Sequence, residues 1–101
     1  MKIDRAQYEA WRQRCSEIYS VVTDKNDEWV AAVSGLTHQI ESICPDRNVT
    51  AHALDARRHA IAFKNPKRKP SADVFQDFLK AWHRLEIAIG MHLIERPDQT
   101  K

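Results

Sequence analysis

Arg47-Asn48-Val49-Thr50-Ala51-His52 is the stretch of this chain best suited to chemistry on a phosphate. An arginine can hold a phosphate through two parallel hydrogen bonds and offset charge that develops on it. A histidine titrates near neutral pH, so it can take a proton from a ribose 2′-hydroxyl or give one to a leaving oxygen. The stretch follows Pro45 and is placed to open a helix, whose N-terminus favours anions. Spacing adds a condition. If both residues were helical, five positions would set them about 140° apart. Arg47 must then sit in the preceding turn, or swing, for both to reach one phosphate. Asn48 and His52, four apart, share a face.

A second feature lies just downstream. Residues 1–55 carry a net charge of −3 and residues 73–101 a net of −1. Residues 56–72 hold Arg57, Arg58, Lys64, Lys67, Arg68 and Lys69 without one acid, a net of +6. Basic character concentrated in this way attracts phosphate-rich partners, and these six are the candidate RNA-guiding residues.

Other chemistries find less support. His38, His52, His83 and His92 each precede an acid by three residues (Glu41, Asp55, Glu86 and Glu95). Metal ligands in helical bundles use that spacing, and so do ordinary surface ion pairs. These positions do not fall consistently on apolar stripes, so neither a metal nor another cofactor is expected. Cys15 and Cys44 sit at apolar helix positions without metal-type spacing, which predicts reduced, buried thiols. No serine-nucleophile elbow or Gly-rich phosphate loop is present.

The elements that position these residues are helices. Tyr8, Trp11, Cys15, Ile18 and Val22 recur at steps of three and four, predicting a helix from Asp4 to about Val22. Trp29, Val33, Leu36, Ile40 and Ile43 predict a second, capped by Asp27 and ending near residue 44 before Pro45. The stripes pair in antiparallel register, Trp11 with Ile40, Cys15 with Leu36 and Ile18 with Val33, which predicts a long N-terminal hairpin. In that register Cys15 and Cys44 stand roughly 12 Å apart, too far for a disulfide. A third helix is expected over 48–64, with a small-residue stripe of Ala53, Ala56 and Ala60 leading to Phe63. Pro66 and Pro70 bound a loop, and Ser71 caps a last helix over 71–95. The whole reads as one all-α domain, a four-helix bundle.

Composition agrees. Of the 101 residues, 43% are hydrophobic and 30% charged, which is globular, and two glycines are too few for a β fold rich in turns. No signal peptide or membrane span is legible, so a cytoplasmic protein is expected. Residues 85–94 are apolar nearly all round, more than a small core needs. That predicts a homodimer through the end of the last helix, helped by the small-residue stripe of the third.

The motif, set at a helix start behind a helical hairpin, resembles the Arg-x4-6-His motif of the HEPN superfamily (higher eukaryotes and prokaryotes nucleotide-binding). The resemblance covers most of the chain in architecture and six residues in motif. Asn48 directly after the arginine and Ala51 before the histidine add to it. It departs from common family patterns in lacking Gly or Tyr just after His52. It implies a dimer in which two motifs meet and cleave RNA without metal, often in toxin or phage-defence systems, although other members only bind. Arg47 would bind phosphate, His52 would be acid and base, and Asn48 would orient them. A non-catalytic helical interaction protein, such as a phage-encoded inhibitor or antitoxin, is the alternative; there the basic loop docks a protein.

Overall fold

The structure is a computed structural model that describes residues 4–64 and 72–94. Four helices follow in order: α1 (Arg5–Tyr19), α2 (Trp29–Ile43), α3 (Arg47–Lys64) and α4 (Ala72–Gly90). No strand occurs among the described residues. The all-α four-helix architecture is the one the apolar periodicity predicts. Lys67, Arg68, Lys69 and the expected cap Ser71 lie outside the described residues, as does Glu95.

The helix ends show local chemistry at work. Asp4 caps α1, its carboxylate accepting the Gln7 backbone N–H at 3.0 Å. α1 stops three residues short of Val22, where the Ser20 hydroxyl donates back to the Glu17 carbonyl at 2.6 Å. α2 starts at Trp29 without a side-chain cap, so Asp27 does not play the expected part. The Trp29 indole instead closes the α1–α2 loop, its Nε1–H shared between the Thr23 and Asn26 carbonyls at 2.8 and 2.9 Å. α3 begins one residue earlier than expected because Asp46 caps it. The Asp46 carbonyl accepts the Thr50 N–H at 3.1 Å, and its Oδ1 accepts the Asn48 N–H at 2.8 Å. α4 ends at Gly90, and the chain turns through residues 91–93.

The stripes that define the helices are the faces they bury. Trp11, Cys15 and Ile18 from α1, Val33 and Ile40 from α2, and Phe78, Trp82, Leu85 and Ile89 from α4 are all sealed from solvent. Each large apolar side chain hidden in this way contributes about 1.5–3 kcal/mol. Trp29, Phe63, Phe75, Phe78 and Trp82 form one continuous aromatic cluster across α2, α3 and α4. The Trp82 indole donates to the Cys15 carbonyl at 3.2 Å and ties α4 to α1.

α3 is the hub. It packs most intimately against α4 and α2, whereas α1 leans on α4 more than on α2. The reason is the small-residue stripe: Ala53, Ala56 and Ala60 are completely buried, and side chains this short let neighbouring backbones come close. This corrects one expectation. The alanine stripe is consumed inside the monomer and is not free to help a dimer. Between α1 and α2 the surface keeps a hollow of about 530 Å³, lined by Ala10, Trp11, Ala31, Ala32 and Gly35 among others.

Candidate functional site

α3 carries the motif, and its faces separate the side chains. At about 100° per residue, the core face is centred on Val49, Ala53, Ala56 and Ala60. On the opposite, outward face lie Arg47 and Arg58, eleven residues and about 20° apart. Both are exposed, and among the described residues neither guanidinium makes an ion pair. Beside the core face runs a polar stripe of Asn48, His52, Asp55 and His59. Here His59 Nε2 meets Asp55 Oδ1 at 3.6 Å.

Arg47 is the first residue of α3, so it does not sit in a preceding turn. Arg47 and His52 are therefore about 140° apart on one helix. Within one chain they do not share a face. Arg47 and Asn48 are exposed and His52 is half-buried. Arg47 is exposed, and its backbone carbonyl accepts the Thr50 hydroxyl at 3.1 Å. Asn48 and His52 share a face, as the four-residue spacing requires.

The basic stretch divides as well. Arg58 and Lys64 are exposed at the surface of α3. Arg57 turns the other way and grips Glu41 of α2, with Nη1 on Oε2 and Nη2 on Oε1, the latter at 3.3 Å. Both side chains are largely covered, at 14% and 26% exposure. Arg57 is thus committed to the α2–α3 contact and not available to a phosphate, which corrects its assignment as an RNA-guiding residue. None of the histidine–acid spacings forms an ion pair among the described residues, where Glu41 serves Arg57 and Asp55 serves His59. No group of three or more His, Cys, Asp or Glu could hold a metal ion among the described residues.

The most concentrated polar chemistry lies elsewhere, just before the motif. The His92 ring, in the turn after α4, places Nε2 2.5 Å from Asp46 Oδ2. It also stacks on Tyr8 of α1, with centroids 4.0 Å apart and planes 6° from parallel. The Tyr8 hydroxyl lies 3.8 Å from Cys44 Sγ at the end of α2. Arg5 holds the same turn from α1, donating to the Leu93 carbonyl at 2.8 Å. All four helix ends meet here. Partial burial opposes ionisation of Asp46. The His92 hydrogen bond, the Asn48 and Val49 N–H groups and the His92 charge outweigh it and hold the carboxyl below its ordinary pKa. Burial, reinforced by Cys44 and Asp46, pushes the Tyr8 phenol up to about 12. Burial likewise pushes the Cys15 thiol up to about 12, with Glu86 adding to it. Both cysteines are free.

Sequence reasoning missed this cluster. One part was legible: an aspartate between a proline and a helix is a good cap. The meeting of His92 with Asp46, forty-six residues apart, has no local signal. Comparison with protein-family models, with curated proteins and with solved structures finds no match for this chain.

Proposed function

We propose that the protein binds RNA in a HEPN-like manner through the outward face of α3, continued by the basic run that follows it. The observation that carries this reading is the alignment of Arg47 and Arg58 on one exposed line of α3, both without an acidic partner among the described residues. Lys64 is also exposed, at the end of the helix, but about 120° round from Arg58 and off this line. Guanidinium groups so placed, about 16 Å apart along the helix, meet separated phosphates of a strand without first losing an intramolecular ion pair. Cleavage needs an imidazole beside the phosphate that Arg47 holds, and His52 of the same chain is on another face. The imidazole must come from His52 of a second copy, as the resemblance implies, or from another histidine of the same chain.

A second copy has a surface to use. Ile87, Met91 and Ile94 are 52%, 47% and 57% exposed and rim a hollow of about 290 Å³ shared with Arg12, His83, Glu86 and Gly90. We propose this patch as the homodimer contact. The same patch favours the second reading, a non-catalytic module that docks another protein. The deciding experiment is fluorescence anisotropy of a labelled single-stranded oligoribonucleotide over a salt series, with and without EDTA. Salt-dependent binding lost on neutralising Arg47 and Arg58 supports the RNA reading. Absence of binding at low salt refutes it and leaves the docking module.

A further inference from the structure

We propose that His92, oriented by Asp46 and stacked on Tyr8, is the proton-transfer residue for RNA cleavage within a single chain. The inference rests on the RNA-binding reading above and supplies the imidazole that His52 of the same chain does not.

Two contacts fix the His92 ring, and Asp46 is itself held in place. Nε2 lies 2.5 Å from Asp46 Oδ2. One face is covered by the parallel Tyr8 ring at 4.0 Å. Asp46 cannot turn away, because Oδ1 accepts the Asn48 backbone N–H at 2.8 Å and its carbonyl accepts the Thr50 N–H. With Nε2–H committed to a carboxylate, the neutral tautomer carries its lone pair on Nδ1. No hydrogen bond to Nδ1 occurs among the described residues. A carboxylate on one ring nitrogen fixes the tautomer and stabilises the imidazolium formed when the other takes a proton. His52 has no such partner among the described residues.

Position favours the same histidine. Arg47 directly follows Asp46, one Cα step of about 3.8 Å away, and its guanidinium is exposed and unpaired among the described residues. The helix start that carries the phosphate-binding Arg47 is therefore continuous with the cap that orients His92. The charged and titratable groups at the ring are Asp46 at the cap of α3 and Tyr8 of α1, with Cys44 beyond Tyr8 and Arg5 on the neighbouring Leu93 carbonyl.

The reaction balances without a metal or co-reactant. Nδ1 takes the proton of a ribose 2′-hydroxyl, the 2′ oxygen attacks the adjacent phosphorus, and the bond from phosphorus to the 5′ oxygen breaks. The products are a 2′,3′-cyclic phosphate and a 5′-hydroxyl. The leaving oxygen takes its proton from water, and the imidazolium returns one to the hydroxide left behind. Arg47 holds the phosphate throughout.

The test is cleavage of a single-stranded oligoribonucleotide in EDTA by the full chain and by H92Q, D46N, H52A and H38A. The side-chain amide introduced by H92Q can still donate to Asp46, and asparagine is as good a helix cap as aspartate. Anisotropy and thermal melts establish that each variant binds and folds. The expected result is a loss of about 10²-fold or more in cleavage by H92Q with binding retained. H38A, on the exposed side of α2, should cut as the wild type does. D46N should lower kcat by about 10²-fold or more with KM little changed, because the ring loses the carboxylate that sets its tautomer. This readout survives even if H92Q fails to fold. Undiminished cleavage by folded H92Q, or an undiminished kcat in D46N, overturns the inference and leaves the RNA reading standing. Loss in H52A alone overturns it in favour of the motif histidine. Wild-type binding without cutting overturns it too, and absence of both binding and cutting removes the RNA reading as well.

Discussion

The guanidinium of Arg57 on α3 closes on the carboxylate of Glu41 on α2, two nitrogens against two oxygens, inside a contact that solvent reaches poorly. Fork-to-fork pairing of this kind fixes geometry as well as charge. It sets how far α2 and α3 can slide along each other, and it withdraws a cation from the basic stretch.

Glu41→Ala is expected to cost about 1–3 kcal/mol in urea unfolding, because it leaves the largely covered Arg57 charge without a partner. The double variant Glu41→Ala/Arg57→Ala should recover part of that loss. Arg57→Ala alone should leave RNA affinity within about twofold. Neutralising Arg58 and Lys64 together should weaken binding to all sequences and reduce the salt slope by about two counterions. Equal losses of affinity from Arg57 and Arg58 would contradict the division of α3 into an inward and an outward arginine.

The two thiols should react differently. Cys15 is sealed in the core, and burial pushes its thiol up to about 12, so little thiolate exists near neutral pH. Cys44 is only partly covered. An aromatic disulfide reagent should modify one thiol per chain in the native state and two in denaturant. Rapid native modification of Cys15 in a Cys44→Ala variant would show that α1 does not seal the core as described.

Stability should fall at both ends of the pH scale. Asp46 is held below its ordinary pKa, so its contribution is full above the unfolded carboxyl value of about 3.9 and is lost as pH falls through the lower folded value. Asp46→Asn should be less stable than the wild type at pH 7 and lose less between pH 4 and 2. Tyr8 and Cys15 are raised to about 12 from 10.0 and 9.0. Their contribution is complete below those starting values and lost as pH rises towards 12. Chemical melts at pH 3, 7 and 11 check both limbs.

Packing makes two further demands. Ile18→Ala and Leu36→Ala each remove a large buried side chain and should cost about 2–5 kcal/mol. Ala56→Leu should cost about 1–3 kcal/mol by overpacking, because α2 and α4 already close on the alanine face of α3. A neutral Ala56→Leu would show that this face has room to spare.

Met91→Asp places a charge in the exposed patch with Ile87 and Ile94. If the patch joins two copies, sedimentation should shift from dimer to monomer while the melting temperature of the fold changes little. A wild type that sediments as a monomer at high micromolar concentration would reject the dimer.

The helices were legible because each has a one-sided apolar stripe, and the stripe residues Trp11, Cys15, Val33, Ile40, Trp82 and Leu85 are the ones buried. Helix ends were less so. Val22 continues the period of α1, but the chain leaves the helix at Ser20 because a serine bonded back to Glu17 offers an alternative to the next turn. The last helix is expected to run to 95, just before Arg96-Pro97, but it ends at Gly90, and the turn that follows half-buries Leu93. At the candidate site, sequence supplied Arg47, Asn48 and Arg58 as exposed polar groups. It could not show that Arg57 finds Glu41 or that His92 finds Asp46. Those pairings depend on how helices cross, which side-chain periodicity does not encode.

The alanine face of α3 also bears on the order in which the molecule assembles. α2, α3 and α4 are consecutive in the chain and are the helices packed most tightly together, so their contacts close short loops and come at low entropic cost. α1 joins this three-helix unit mainly from the far end of the chain, through the Trp82–Cys15 and His92–Tyr8 contacts. Its docking is the long-range step. The amides of α1 are therefore expected to exchange with deuterium through a partial opening that leaves α3 protected, and Trp82→Phe should hasten exchange in α1 far more than in α2. Uniform exchange across all four helices would instead mean that the bundle opens only as a whole.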